Sequence, residues 1–146
     1  YLILFSSELE LKLENKIKMN KLIIDVVNEK IFLMLITTKN IYSITHDNTK
    51  INYERLTIII NDFLITKSLK IKDISKIYIN IGPGSFAGIR NSLSVVKAFN
   101  IAKKIDYYCY SLDDFKGEKD ISYENIPNLC DKFKIKKNLI NPNYIS

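Results

Sequence analysis

The sequence predicts an α/β domain in which a mixed five-stranded sheet carries helices, and three observations point there. Apolar segments follow in the order strand, strand, strand, helix, strand, helix, strand. Three of the four glycines fall in one stretch, Ile79-Asn80-Ile81-Gly82-Pro83-Gly84-Ser85-Phe86-Ala87-Gly88-Ile89-Arg90, where an apolar strand runs directly into an amphipathic helix. A chain of 146 residues with 47% hydrophobic content is long and apolar enough to bury one core.

The predicted strands lie near 21–27, 30–37, 40–46, 76–81 and 105–110, and the predicted helices near 50–67 and 85–103. Three sequential antiparallel strands followed by helix, strand, helix, strand make a mixed sheet. On the first helix Tyr53, Leu56, Ile59, Ile60, Phe63 and Leu64 form one wide apolar face, while Ile58, Ile65 and Leu69 repeat on the opposite side. The fourth strand alternates Ile77, Ile79 and Ile81 with Tyr78 and Asn80. On the second helix Ile89, Leu93 and Val96 form a stripe for the sheet. Gly88, Ser92, Val95, Phe99 and Ala102 form an adjoining stripe whose small residues let another helix come close. These surplus faces pack on each other and on the tail, or they meet another subunit. After Gly117 the composition turns polar and lysine-rich, with a short helix around Cys130.

The junction itself reads residue by residue. Pro83 holds φ at a turn value and donates no hydrogen bond, and the flanking Gly82 and Gly84 tolerate conformations closed to other residues. Ser85 is placed to cap the following helix with its hydroxyl, and the amides of such a terminus attract anions. The spacing Gly82-x-Gly84-x-x-x-Gly88 matches neither the dinucleotide fingerprint nor the P-loop. The junction is thus either a phosphate site or a tight structural turn in which Gly88 admits a second backbone.

Gly82-Pro83-Gly84-Ser85-Phe86-Ala87-Gly88-Ile89-Arg90, followed by Val96-Lys97-Ala98-Phe99, resembles the Gly-Pro-Gly-Ser-Phe-Thr-Gly-Leu-Arg signature of the TsaB (YeaZ) family. Ala87 replaces the usual Thr. The resemblance runs from about Met19 through Gly117: Lys21–Asp25 is similar to the opening strand, Tyr53–Leu64 to the first long helix, and Ser111-Leu112-Asp113 to the segment after the fifth strand. A weaker echo of the family's closing Pro-x-Tyr-Leu-Arg lies at Asn141–Ser146, with Ser146 in place of the arginine. The resemblance implies one lobe of the actin/Hsp70-like, ribonuclease-H-like fold, with the second lobe largely missing. It also implies a non-catalytic partner that supports a TsaD-like threonylcarbamoyltransferase in making threonylcarbamoyladenosine in tRNA. Further implied partners are a TsaE-like ATPase, a second copy of the chain through its first-lobe helices, and tRNA indirectly. The implied site residues are the glycine turn (Gly82, Pro83, Gly84, Ser85, Phe86, Gly88, Arg90), an interface (Gly88, Ser92, Val95, Phe99, Ala102, Ile58, Ile65) and Asp25 as a vestige of a phosphate or metal site. The segment departs from the family there: Asp25 is followed by Val26, Val27 and Asn28, where the family usually has Asp-Thr/Ser-x-Thr/Ser, a phosphate-contacting turn. Asn52-Tyr53-Glu54 keeps only the acid of a His-Ser-Glu-like triplet.

The remaining composition narrows the function classes. The formal charge is +6 and the pI near 9.2, but only Arg55 and Arg90 are arginines. Lysines at 103, 104, 132, 134, 136 and 137 are a solvated face or a basic side near RNA. Cys109 and Cys130 lack Cys-x-x-Cys spacing and read as idle thiols in a reducing compartment. The single histidine, His46, excludes a His-Glu-x-x-His zinc peptidase by count. No metal, cofactor or catalytic set is expected. No apolar run approaches the ~18 residues of a membrane span, and Tyr1–Phe5 is too short for a signal segment, so a cytoplasmic protein is expected. Residues 1–18 read as an upstream extension, 19–117 as the lobe and 118–146 as a short tail. Two other readings stand beside the partner reading: an actin-like ATPase or phosphotransferase using Asp25 and the glycine turn, and a relic without function.

Overall fold

The computed structural model describes residues 19–140; the expected extension at 1–18 and the echo at 141–146 lie outside the described residues. Five strands form one sheet: β1 (Asn20–Asp25), β2 (Lys30–Ile36), β3 (Ile41–Asp47), β4 (Ile74–Asn80) and β5 (Asp106–Tyr110). Their order is β3-β2-β1-β4-β5. β1 pairs antiparallel with β2, and β2 with β3, because short connections return the chain beside itself. β1 pairs parallel with β4, and β4 with β5, because each crossover passes through a helix. The predicted mixed five-stranded sheet is therefore present, with strand bounds within two residues of those read from periodicity.

The helices are α1 (Lys50–Glu54), α2 (Leu56–Thr66), α3 (Phe86–Lys103) and α4 (Ile126–Lys132). The predicted helix over 50–67 is two helices. At Arg55 the backbone turns to φ −101°, ψ 20° and its N–H bonds to Asn52 O, three residues back, at 3.0 Å. The Tyr53 carbonyl accepts instead from the Asn91 side chain of α3, so the break is set by a tertiary contact that no glycine or proline announces.

Strand alternation splits the apolar side chains between two faces. Leu22, Ile24, Leu33, Leu35, Ile77 and Ile79 face α1–α3 and meet Leu56, Ile60, Phe63, Leu64, Leu93 and Val96 in the larger cluster. Ile23, Met34, Tyr78 and Tyr110 face the other way and are covered by Phe115, Ile126, Leu129 and Cys130. The composition shift at Gly117 is thus not a break in packing, since Phe115 and Ile126 share one cluster across it. With both faces covered, β1 and β4 read as near-continuous apolar runs. Among the described residues no helix is long and apolar enough to cross a membrane.

Candidate functional site

Asp25 and Asn80 end adjacent parallel strands in register. They stand where the strand order reverses, β2 on one side of β1 and β4 on the other, which is where open α/β sheets place ligands. Both are buried. The Asp25 carboxylate accepts from Val27 N–H (3.1 Å), the Asn80 side-chain amide (3.1 Å) and the Tyr123 hydroxyl (2.8 Å). A buried carboxylate requires such donors, since an unpaired charge there costs several kcal/mol (about 3–5). The Tyr123 ring stacks on Phe32, centroids 4.0 Å apart. Burial first, and then its bond to Asp25, raise the Tyr123 phenol above the ordinary tyrosine range. It therefore stays a neutral donor.

The glycine turn docks against the end of β1. Gly82 has φ +114°, in the region that favours glycine, and its carbonyl accepts from Ser111 Oγ at 2.7 Å. Its N–H donates to Asn80 Oδ1 at 3.0 Å, and the Gly82–Pro83 bond is cis. Gly84 has no unusual φ; what it lacks is room. A Cβ there would lie 2.3 Å from Val27 O and 2.6 Å from Val27 Cβ. Gly88 admits the Val26 backbone, whose carbonyl would stand 3.2 Å from an added Cβ, in line with the structural reading of that position. The Val26 carbonyl also accepts from Asn48 Nδ2 at 2.7 Å.

Ser85 stands at the N-cap position of α3, but its hydroxyl makes no capping bond, which corrects the sequence reading. Its backbone N–H is drawn to Val27 O (3.1 Å), so the strand end, not the serine side chain, anchors the helix start. Phe86 is exposed, and the Arg90 guanidinium lies over its ring at 5.4 Å.

Beside Asp25 a crevice of ≈ 780 Å³ is lined by Asn28, Glu29, Lys30, Phe32, Ser85 and Tyr123. A second hollow of ≈ 440 Å³ lies between the Gly82-Pro83 turn and Leu112, Asp113 and Ile121, and shares Asp25 and Tyr123 with the first. Among the described residues the buried Tyr110 hydroxyl, in the lining of this hollow, has no hydrogen-bond partner. At the rim Lys30 pairs with Asp47, and the bond between them holds the amine above and the carboxyl below their usual ranges. No group of three or more His, Cys, Asp or Glu side chains placed to hold a metal is found among the described residues. Burial pushes the Cys109 and Cys130 thiols up to about 12, so neither is nucleophilic at neutral pH.

The predicted interface divides. Gly88, Ser92 and Phe99 are buried within the chain, and Val95 is half-buried, because α3 packs across α1 and α2. That stripe is core. Ile58 and Ile65 on α2 and Ala102 near the end of α3 are exposed, with Ile65 64% accessible. Of the residues not anticipated, Asn80 carried a signal, a polar residue ending an apolar strand before the glycine turn. Tyr123 carried none, since 98 residues separate it from Asp25.

No protein-family profile and no curated protein matches the chain. Its structure is similar to that of YeaZ from Pseudomonas aeruginosa at 22% identity and a TM-score of 0.58, covering 63% of this chain and 43% of that one. A second solved structure, an uncharacterized protein with similarity to peptidase YeaZ from Pseudomonas aeruginosa, gives the same values. The chain thus spans less than half the length of these structures. What it shares with them is a fold, one α/β lobe built on the mixed five-stranded sheet.

Proposed function

We propose that this chain is a TsaB (YeaZ)-like, non-catalytic partner that supports a TsaD-like threonylcarbamoyltransferase in tRNA modification in the cytoplasm. The observation that supports it is the Gly82–Arg90 signature folded as a strand-to-helix junction in a lobe similar to YeaZ. That junction is packed for architecture: Val26 and Val27, which replace the family's hydroxyl residues, wedge against Gly84 and Gly88. Asp25 spends its bonds on the protein's own donors. The partner surface in this reading is the exposed side of α2, Ile58 and Ile65, where a charge costs the folded chain little and a dry interface much.

The test is co-purification with the TsaD-like subunit of the same genome, with and without a TsaE-like ATPase. Ile58→Asp with Ile65→Asp should abolish association while the melting temperature of the variant alone stays within a few degrees of wild type. Normal co-purification of the folded double variant sinks this surface. Loss of a homodimer alone, seen by sedimentation, assigns it to a second copy. A second reading, an actin-like ATPase or phosphotransferase, is favoured by the ≈ 780 Å³ crevice beside Asp25. Metal-dependent ATP turnover on the order of 1 per second, lost in Asp25→Ala, would promote it.

A further inference from the structure

Tyr110 ends β5 with its side chain fully buried and, among the described residues, its hydroxyl unmatched. A buried hydroxyl without a partner destabilises the chain that carries it. The ring is held by its stack on Phe115, and burial first, then the charge of Asp25, raise the phenol above the ordinary tyrosine range, so it stays neutral. Tyr110, Asp25 and Tyr123 line the same hollow of ≈ 440 Å³. The donors to Asp25 there, Val27 N–H, the Asn80 amide and the Tyr123 hydroxyl, are all neutral, and among the described residues no cation pairs with it. Buried carboxylates are ordinarily paired with a cation. A carboxylate has about four acceptor positions; two are filled on Oδ2 and one on Oδ1, so Oδ1 keeps one.

We propose that this hollow binds a small protonated primary amine, its ammonium held by Asp25 and the Tyr110 hydroxyl and its apolar stem by Pro83, Leu112, Ile121 and Ile126. The site is independent of the partner surface on α2 and stands whether or not the partner reading does.

The chemistry of the lining selects this ligand. An ammonium has three N–H donors and no acceptor. It meets acceptors in Asp25 Oδ1, in the Tyr110 hydroxyl and in the Tyr123 hydroxyl, which donates to Asp25 and keeps its own lone pairs. Its charge is the counter-charge Asp25 lacks, in a buried place where attraction is screened far less than in water. Asp113 lines the same hollow, is exposed, and has a carboxylate without a partner among the described residues, so it draws a cation in and opposes a phosphate or carboxylate. The helix terminus at Ser85, which suits an anion, opens instead on the larger crevice. The walls are pinned before any ligand arrives. Ser111 Oγ donates to Gly82 O at 2.7 Å, Ile81 N–H to Tyr110 O at 2.9 Å, and Tyr123 is fixed between Asp25 and Phe32. Leu112 and Ile121, 48% and 38% exposed, supply an apolar rim. The volume falls within the range of about 300–1,000 Å³ usual for small-molecule sites.

The experiment is a ligand-observed NMR titration of the whole chain with phenethylamine at neutral pH, beside three compounds with the same stem. Phenethyl alcohol lacks the charge, phenylacetate reverses it, and the N,N,N-trimethyl derivative keeps it but has no N–H. Phenethylamine should bind saturably with a Kd of about 1 mM or below. The alcohol and the trimethyl derivative should bind about 10-fold more weakly, and phenylacetate not at all. Tyr110→Phe should weaken amine binding about 10-fold without lowering the melting temperature, because an unmatched hydroxyl contributes no bond to the folded chain. Asp113→Asn, at the exposed mouth, should weaken it about 2- to 5-fold. The control Asp62→Asn makes the same charge change on α2, across the sheet, and should leave binding unchanged. Ile58→Asp with Ile65→Asp should also bind the amine normally, so failure of the partner surface and failure of this site are told apart. The proposal is overturned by no saturation up to about 10 mM amine, by equal affinity for the alcohol or the trimethyl derivative, by preference for phenylacetate or ATP, or by full amine binding in a folded Tyr110→Phe protein.

Discussion

The two faces of the sheet are covered by different means. On the first, two helices present aliphatic stripes, and Leu56, Ile60, Leu64, Leu93 and Val96 close over the strands. On the second, a largely irregular segment with one short helix relies on rings: Tyr110 stacks on Phe115 at 5.7 Å, Phe115 leans on Phe133 at 5.6 Å, and Tyr123 covers Phe32. An aromatic side chain buries about 150–250 Å², so a few rings do what a periodic helix face does with many smaller residues. The consequence is uneven stability. A cover made of turns and a seven-residue helix opens at lower free energy than a pair of packed helices.

The comparison is broken most directly on the helical face. Leu93 is buried against the strands, and Leu93→Asp places a charge there without a partner. It should cost about 4 kcal/mol or more and unfold the chain, seen as loss of the cooperative thermal transition. A folded Leu93→Asp protein with a normal melt would show that α3 is not what holds the sheet.

A smaller effect is expected at the junction that seats α3. Gly84→Val would drive its Cβ into Val27, and overpacking of this kind costs about 3 kcal/mol. The cost comes from the 2.3 Å approach to Val27 O rather than from φ. Urea unfolding measures it. Unchanged stability with lost binding of a nucleotide or tRNA would instead make the turn a ligand site.

The finest test uses one thiol per face, since Cys109 belongs to the helical cluster and Cys130 to the aromatic one. In single-thiol variants at neutral pH Cys130 should react with a disulfide reagent faster than Cys109, because its cover opens more often. Equal rates would mean that both faces open only by global unfolding. Both thiols are raised to about 12 by burial, so the stability they contribute is fully present below the unfolded value near 9 and is lost as pH rises toward 12. Melting temperature should fall across that window, and fall less in Cys130→Ala.

The sequence announced the helical face and the junction because both rest on local regularities. Alternating isoleucines in β4, an apolar stripe every three or four residues in α3, and Gly-Pro-Gly between them are visible within about twenty residues. It placed Gly88 where a second backbone enters, but could not say which one. The break at Arg55, the burial of Ser92 and the uncapped Ser85 were hidden, since each depends on a group from another element: Asn91 on Tyr53, α1 and α2 on α3, and Val27 on Ser85.

What the sequence by itself determined is the apolar runs that become strands, the order that makes the sheet mixed, and the glycine spacing that turns β4 into α3. These follow from backbone sterics and from water's preference for polar periodicity, which act over one element at a time. Only the tertiary structure decided that Tyr123 closes on Asp25, that the lysine-rich segment covers the second face, and that the Asn91 side chain meets the first helix at Tyr53. Those are decided by parallel crossovers and by single hydrogen bonds such as Tyr123 to Asp25, whose energies exist only after the strands have met.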